Sequence, residues 1–173
     1  MSASQSATRA THAKPATHEP ARDALQLLMA EHREVKTMFE HYQTLADAGG
    51  RGDQRMLLAS QICVALTVHT QVEEEILYPA ARTVLTKDED IVDEAYVEHA
   101  GAKSLIAQLK TMTSDQPLYD AKLKVLGEYI THHVREEETE FFPKLRRSSL
   151  DLLALGEQIA ARKQQLMAAP EPS

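Results

Sequence analysis

Residues 69–79 read HTQVEEEILYP, and residues 133–143 read HVREEETEFFP. Each phrase opens on a histidine, carries a glutamate four residues on, and ends with an aromatic residue and a proline. In a helix, residues four apart share a face and stand about 6 Å apart along the axis. His69 therefore points the same way as Glu73, and His133 the same way as Glu137. What that face is for depends on its neighbours one turn above and below.

Those neighbours are apolar. The second predicted helix carries the stripe Leu58, Ile62, Ala65, His69, Glu73 and Ile76, with Val72 beside it, and the fourth carries Leu126, Ile130, His133, Glu137 and Phe141. Two further segments show the same periodicity: Leu25, Leu28, His32, Val35 and Phe39 in one, and Val92, Ala95, His99, Ala102, Ile106 and Leu109 in the other. Spacing of this kind marks the buried face of an amphipathic helix. Each of the four long helices thus places one histidine on its core face, and two of them add a glutamate one turn later.

The helix boundaries follow from capping and breaking residues. The first helix spans about 21–48 and stops at Gly49-Gly50-Arg51-Gly52. The second starts after Asp53 as N-cap and reaches about residue 85, with Pro79 expected to kink it or break its last turns. The third covers about 88–112. The fourth follows the turn TSDQP and runs over about 118–144. Ser148 or Ser149 caps a shorter fifth, which packs outside the others through Leu152, Leu155, Ile159 and Leu166. Long helices with short connections predict an all-α fold, an up-down-up-down four-helix bundle with a short extra C-terminal helix. The corresponding domain plan is a disordered tail over 1–20, the bundle over 21–147, and the added helix over 148–168.

Composition agrees. The chain has 173 residues, enough for one domain with a full core, no tryptophan, and a formal net charge of -7. That charge argues against nucleic-acid and anionic-membrane surfaces, which need a basic face, and in favour of a cation as guest. A single cysteine, Cys63 in the apolar run ICVAL, excludes an intramolecular disulfide and any all-cysteine metal site. No apolar run is long enough to cross a bilayer, and the first residues lack an apolar leader core, so a cytoplasmic protein is expected. His12 and His18 fall in the tail, and His41 falls off the first stripe. The runs Glu73-Glu74-Glu75 and Glu136-Glu137-Glu138 read mostly as solvated faces whose field favours cations.

Burying two carboxylates without partners costs several kcal/mol, and the stripes carry no lysine or arginine to neutralise them. A hydrogen-bonded Glu–His network is the bland solution. Metal ions do the same and also keep the imidazoles neutral. Four imidazoles and two carboxylates are too many ligands for one tetrahedral ion, but they suit two ions about 3.5–4 Å apart with carboxylate bridges. Nitrogen and oxygen donors favour iron, manganese or zinc over calcium. One ambiguity is internal: His132 and Glu136 have the same spacing as His133 and Glu137. The His133 register aligns with Leu126, Ile130 and Phe141, whereas the other runs into Glu140, so His133 is the expected ligand.

The segments EHREVK, HTQVEEEILYP, VEHAGAK and HHVREEETEFFP together resemble the hemerythrin-like HHE cation-binding family over roughly residues 25–145. The resemblance implies two non-haem iron ions, oxo- or hydroxo-bridged, held by His32, His69, Glu73, His99, His133 and Glu137, with both glutamates bridging. Manganese or zinc would fit the same donors. Lys103 stands where oxygen-carrying hemerythrins have an additional histidine. Tyr78, beside Pro79, is a candidate to turn towards the metals. The implied partners are small oxidants or dioxygen at the centre. Three functions stay open: iron handling or sensing of oxygen, nitric oxide or peroxide; a catalase- or peroxidase-like enzyme; and a structural bundle held by zinc.

Overall fold

A computed structural model of the chain describes residues 22–87 and 89–168; the tail read over 1–20 lies outside them. All regular structure among these residues is helical. Helix α1 is Ala24–Asp47, α2 spans 52–82, α3 is Glu89–Lys110, α4 spans 119–146, and α5 is Leu152–Ala168. Asp23 caps α1 with a capping box, its carboxylate taking the Gln26 N–H while the Gln26 side chain takes the Asp23 N–H.

Helices α1 to α4 form the bundle, each antiparallel to the next. Glu31 meets His69, Arg82 meets Asp93, His133 meets Glu98, and α4 returns to α1 through Tyr42–Asp120 and His32–Glu138. Helix α5 lies outside across α1 and α2. It buries Leu155 and Ile159 and half-buries Leu152 and Leu166. Gly156 permits the close approach: a Cβ there would stand 2.6 Å from the Arg22 carbonyl oxygen.

Two expected caps shift. The N-cap of α2 is Arg51, with no side-chain cap bond, and Asp53 sits in the first turn. The expected start of α3 at residue 88 lies outside the described residues. Helix α5 is capped by Asp151, whose carboxylate takes the Ala154 N–H at 3.0 Å. Ser148 instead turns back to the Leu145 carbonyl. Asp151 stands three residues before the N–H it satisfies, and the serines are too far upstream for that bond.

Pro79 neither breaks nor ends α2. The helix changes pitch before it, in a π turn over Glu73–Leu77 where the Tyr78 N–H bonds the Glu73 carbonyl. In that pattern Pro79 would owe a bond to the Glu74 carbonyl, and Tyr96 Oη supplies it at 3.3 Å. Helix α4 repeats the device over Glu137–Phe141, ahead of Pro143. Each π turn adds a residue to the repeat, so Leu77 and Tyr78 are fully buried and Ile76 only half-buried.

The apolar core falls into two clusters. One gathers Leu25, Leu28, Leu77, Tyr78, Phe141 and Ile159, and the other gathers Val35, Ile62, Leu66, Ile106, Leu126 and Ile130. The histidines and glutamates of the stripes form a polar layer between them.

Candidate metal centre

His32, His69, Glu73, His99, His133 and Glu137 are all buried, Glu73 completely. The structure brings all six together. Each bundle helix delivers one imidazole, and the two glutamates come from the first residues of the π turns.

The four rings point their Nε2 atoms inward in two pairs, His32 with His69 at 3.1 Å and His99 with His133 at 3.1 Å. Glu73 Oε2 reaches both pairs, 3.3 Å from His69 Nε2 and 3.5 Å from His99 Nε2. Glu137 Oε2 does likewise, 3.4 Å from His32 Nε2 and 3.6 Å from His133 Nε2. Each carboxylate therefore spans the two halves.

Behind every ring stands a second carboxylate. His32 Nδ1 donates to Glu138 (2.9 Å), His69 Nδ1 to Glu31 (2.8 Å), His99 Nδ1 to Glu74 (2.9 Å) and His133 Nδ1 to Glu98 (2.7 Å). A carboxylate acceptor fixes the proton on Nδ1, which leaves a lone pair on each Nε2 and makes it more basic. Lys163 of α5 holds Glu31, and Lys103 holds Glu74 through both oxygens, each at 2.6 Å. The acid runs are thus not simply solvated faces, because Glu74 and Glu138 are half-buried partners of the rings. These four outer glutamates were not identified from the sequence. The echo of Glu31-His32 in Glu98-His99 was the available sign.

Lone pairs about 3 Å apart repel unless a cation lies between them. Both oxygens of Glu73, and Oε2 of Glu137, are buried without a hydrogen bond. Buried polar atoms rarely stay so. Two nitrogens bound to one ion at about 2.1 Å and roughly a right angle would stand about 3 Å apart. The donor set and its unsatisfied atoms therefore fit a pair of metal ions.

Protonation tells the same story for the metal-free site. Burial, then the charge of Glu137, pushes the Glu73 carboxyl well up. Burial also works to raise Glu137, but His133, then His32 and His69, hold it down at about 2. Burial, followed by His133, holds His99 down at about 4. Burial, opposed by Glu31, also lowers His69. The site thus disfavours extra protons on His69 and His99 and holds Glu73 towards its neutral form beside a charged Glu137.

The two ends of the repeated phrase diverge. Tyr78 Oη donates to Glu137 Oε1 (3.1 Å) and lies 3.2 Å from His99 Nε2. Burial, then Glu137 and Glu73, pushes this phenol far above its ordinary range, so it stays a neutral donor. Phe142, the matching residue, stacks on His32 with ring centres 5.8 Å apart. A small cavity of about 10 Å³ touches His32, His69 and His133 and is walled by Val35, Leu66 and Ile130. His41 and His132 are exposed and Cys63 is buried, while His12 and His18 lie outside the described residues.

No helix among the described residues is long and apolar enough to cross a membrane. The chain is 27% identical over 122 residues to a DNA nickase of a Nostoc species, covering 70% of this chain and 33% of that protein. It thus spans about a third of that relative's length. An uncharacterised protein of Mycobacterium tuberculosis is 23% identical over 129 residues, 73% of this chain and 78% of its own. A crystal structure of the Mycobacterium kansasii homologue of that protein, a hemerythrin HHE cation-binding domain-containing protein, superposes with a TM-score of 0.68 at 21% identity. That match covers 84% of this chain and 87% of the other, and it shows the fold. Residues 23–145 match the family described as the Hemerythrin HHE cation binding domain, and the chain belongs to that family.

Proposed function

We propose that the protein holds two non-haem iron ions and binds a small oxidant at them. His32 and His69 would serve one ion and His99 and His133 the other, with Glu73 and Glu137 shared. The observation that carries this reading is the pair of carboxylates whose Oε2 atoms face both histidine pairs and are buried without a hydrogen bond. Bound there, iron would supply one-electron redox chemistry and coordination positions for dioxygen, nitric oxide or peroxide.

The chain's own residues set the terms. Lys103 is turned outward onto Glu74 and adds no fifth nitrogen. Val35, Leu66 and Ile130 wall a space at the lower limit for one water molecule, which suits the smallest guests. Tyr78 Oη is a neutral donor already aimed at the layer, so it can hold a proton for a bound anion. That feature favours peroxide breakdown as a second reading. The net charge of -7 runs against nucleic acid as a substrate.

Metal analysis of the purified protein tests the first claim, with about two irons per chain expected. A single tightly held zinc, with no uptake of iron(II) under anaerobic conditions, would overturn it in favour of a structural bundle. Oxygen evolution on adding peroxide then separates the readings. Turnover no faster than that of free iron at equal concentration leaves binding or sensing.

A further inference from the structure

The two halves differ in what stands behind their outer glutamates. Glu31, one residue before His32, bonds His69 through Oε2 and gives Oε1 to Lys163. Glu98, one residue before His99, bonds His133 through Oε2 in the same way. Among the described residues its Oε1 meets no lysine. Glu98 Oε1 instead lies 3.5 Å from His132 Nε2, which lies 3.2 Å from Glu136 Oε1. The three donor atoms all fall within 4.8 Å of one another. In the first half Val68 and Val72 stand where the second has His132 and Glu136, so this cluster is particular to one side.

Where the first half has the Lys163 ammonium, the second has only the His132 imidazole. Glu98 and Glu136 bring two negative charges to the place where the other half has one carboxylate and one ammonium. His132, 63% exposed, adds an imidazole nitrogen on the same side of α4 as Glu136, one turn away. One nitrogen and two carboxylate oxygens, open to solvent, suit a divalent first-row transition metal whose remaining positions are filled by water.

We propose that Glu98, His132 and Glu136 form a separate surface site for such a divalent cation. The ion takes the place that Lys163 holds in the first half, fixing Glu98 against His133 as Lys163 fixes Glu31 against His69. The proposal rests on the surface cluster and is independent of which metal occupies the inner layer. Being exposed, the site binds more weakly than the buried one and releases its ion first to a chelator.

Zinc(II) titration of the full chain against a chromophoric chelator tests this. The wild type should take up one ion more than His132→Ala or Glu136→Gln, whereas Glu73→Gln should keep the weak surface ion. His132→Lys, which supplies a tethered cation, should also abolish the weak equivalent without altering the thermal midpoint. Equal zinc counts in wild type, His132→Ala and Glu136→Gln would overturn the proposal. Because the result is read as a difference between variants, it stands even if the inner layer proves to hold one ion or none. A weak equivalent that persists in both surface variants but disappears in Glu73→Gln would place the ion inside, and the proposal would fail.

Discussion

The half of the site built by His32 and His69 and the half built by His99 and His133 share one arrangement of ring, facing ring and outer carboxylate. They part at the tenth letter of the repeated phrase, where the first writes Tyr78 and the second Phe142. Because the helices are antiparallel, each aromatic residue serves a ring on another helix. Tyr78 sets a hydroxyl beside His99 and Glu137, and Phe142 lays an apolar face on His32. Repetition therefore supplies a symmetric set of donors, and the Tyr78 hydroxyl makes their immediate surroundings asymmetric. A metal centre held in such a frame would have one side with a proton donor and one side without.

The sharpest way to break the comparison is through its ligands. His133→Ala is expected to lose most of the bound iron and His132→Ala to keep it, as measured by metal content after desalting. His133 is buried with Nε2 facing the layer, whereas His132 is exposed on the neighbouring face. The reverse result would move the α4 ligand to the other register and take Glu137 with it.

Metal removal comes next. An ion present at a thousand times its dissociation constant stabilises the fold by about 4 kcal/mol. For a chain of this length that is a fall of roughly 10 °C in thermal midpoint on removal. Equal midpoints with and without metal would mean that protonation alone satisfies the layer.

The metal-free protein should also respond to pH, chiefly through the second half. The fold holds the His99 ring down from 6.5 to about 4, mainly by burial and then by His133. Its contribution is complete above 6.5 and is lost as pH falls towards about 4, which amounts to about 3 kcal/mol over that interval. His133, raised by Glu137 and Glu98 against the effect of burial, offsets part of this. Glu73 acts in the opposite direction, since its protonated form is favoured and stability drains as pH rises through its raised folded value. Urea unfolding of the metal-free chain should therefore show decline on both sides of an optimum. Because Glu73 opposes His99 over part of this interval, the test is a His99→Gln variant, whose acid limb should be shallower; an unchanged limb would contradict the burial of His99.

The smallest expected effect makes the halves alike. Tyr78→Phe removes the donor to Glu137 Oε1 and should cost about 1–2 kcal/mol in the metal-free protein. If Tyr78 also serves the oxidant, the same change slows peroxide turnover without lowering iron content. An unchanged rate would confine the hydroxyl to a structural role.

Helical periodicity is a local property, and what depended on it was legible in the letters: four core stripes, a histidine on each, two glutamates one turn on, and the buried register of His133 beside an exposed His132. Capping was less so, because Asp151 and the serines before it are all able caps and only the path of the chain into α5 selects one. Tyr78 was placed by tertiary structure. Nine residues after His69, it would lie on the opposite face of a regular helix, about 180° away, and the π turn brings it back to roughly 80°. The pairing of Glu31, Glu74, Glu98 and Glu138 with rings on other helices depends on how antiparallel helices are rotated against one another. That rotation is set by packing between the helices around the two apolar clusters, and no single helix records it. The sequence by itself determined which side chains enter the layer; the packing of four helices decided which of them touch.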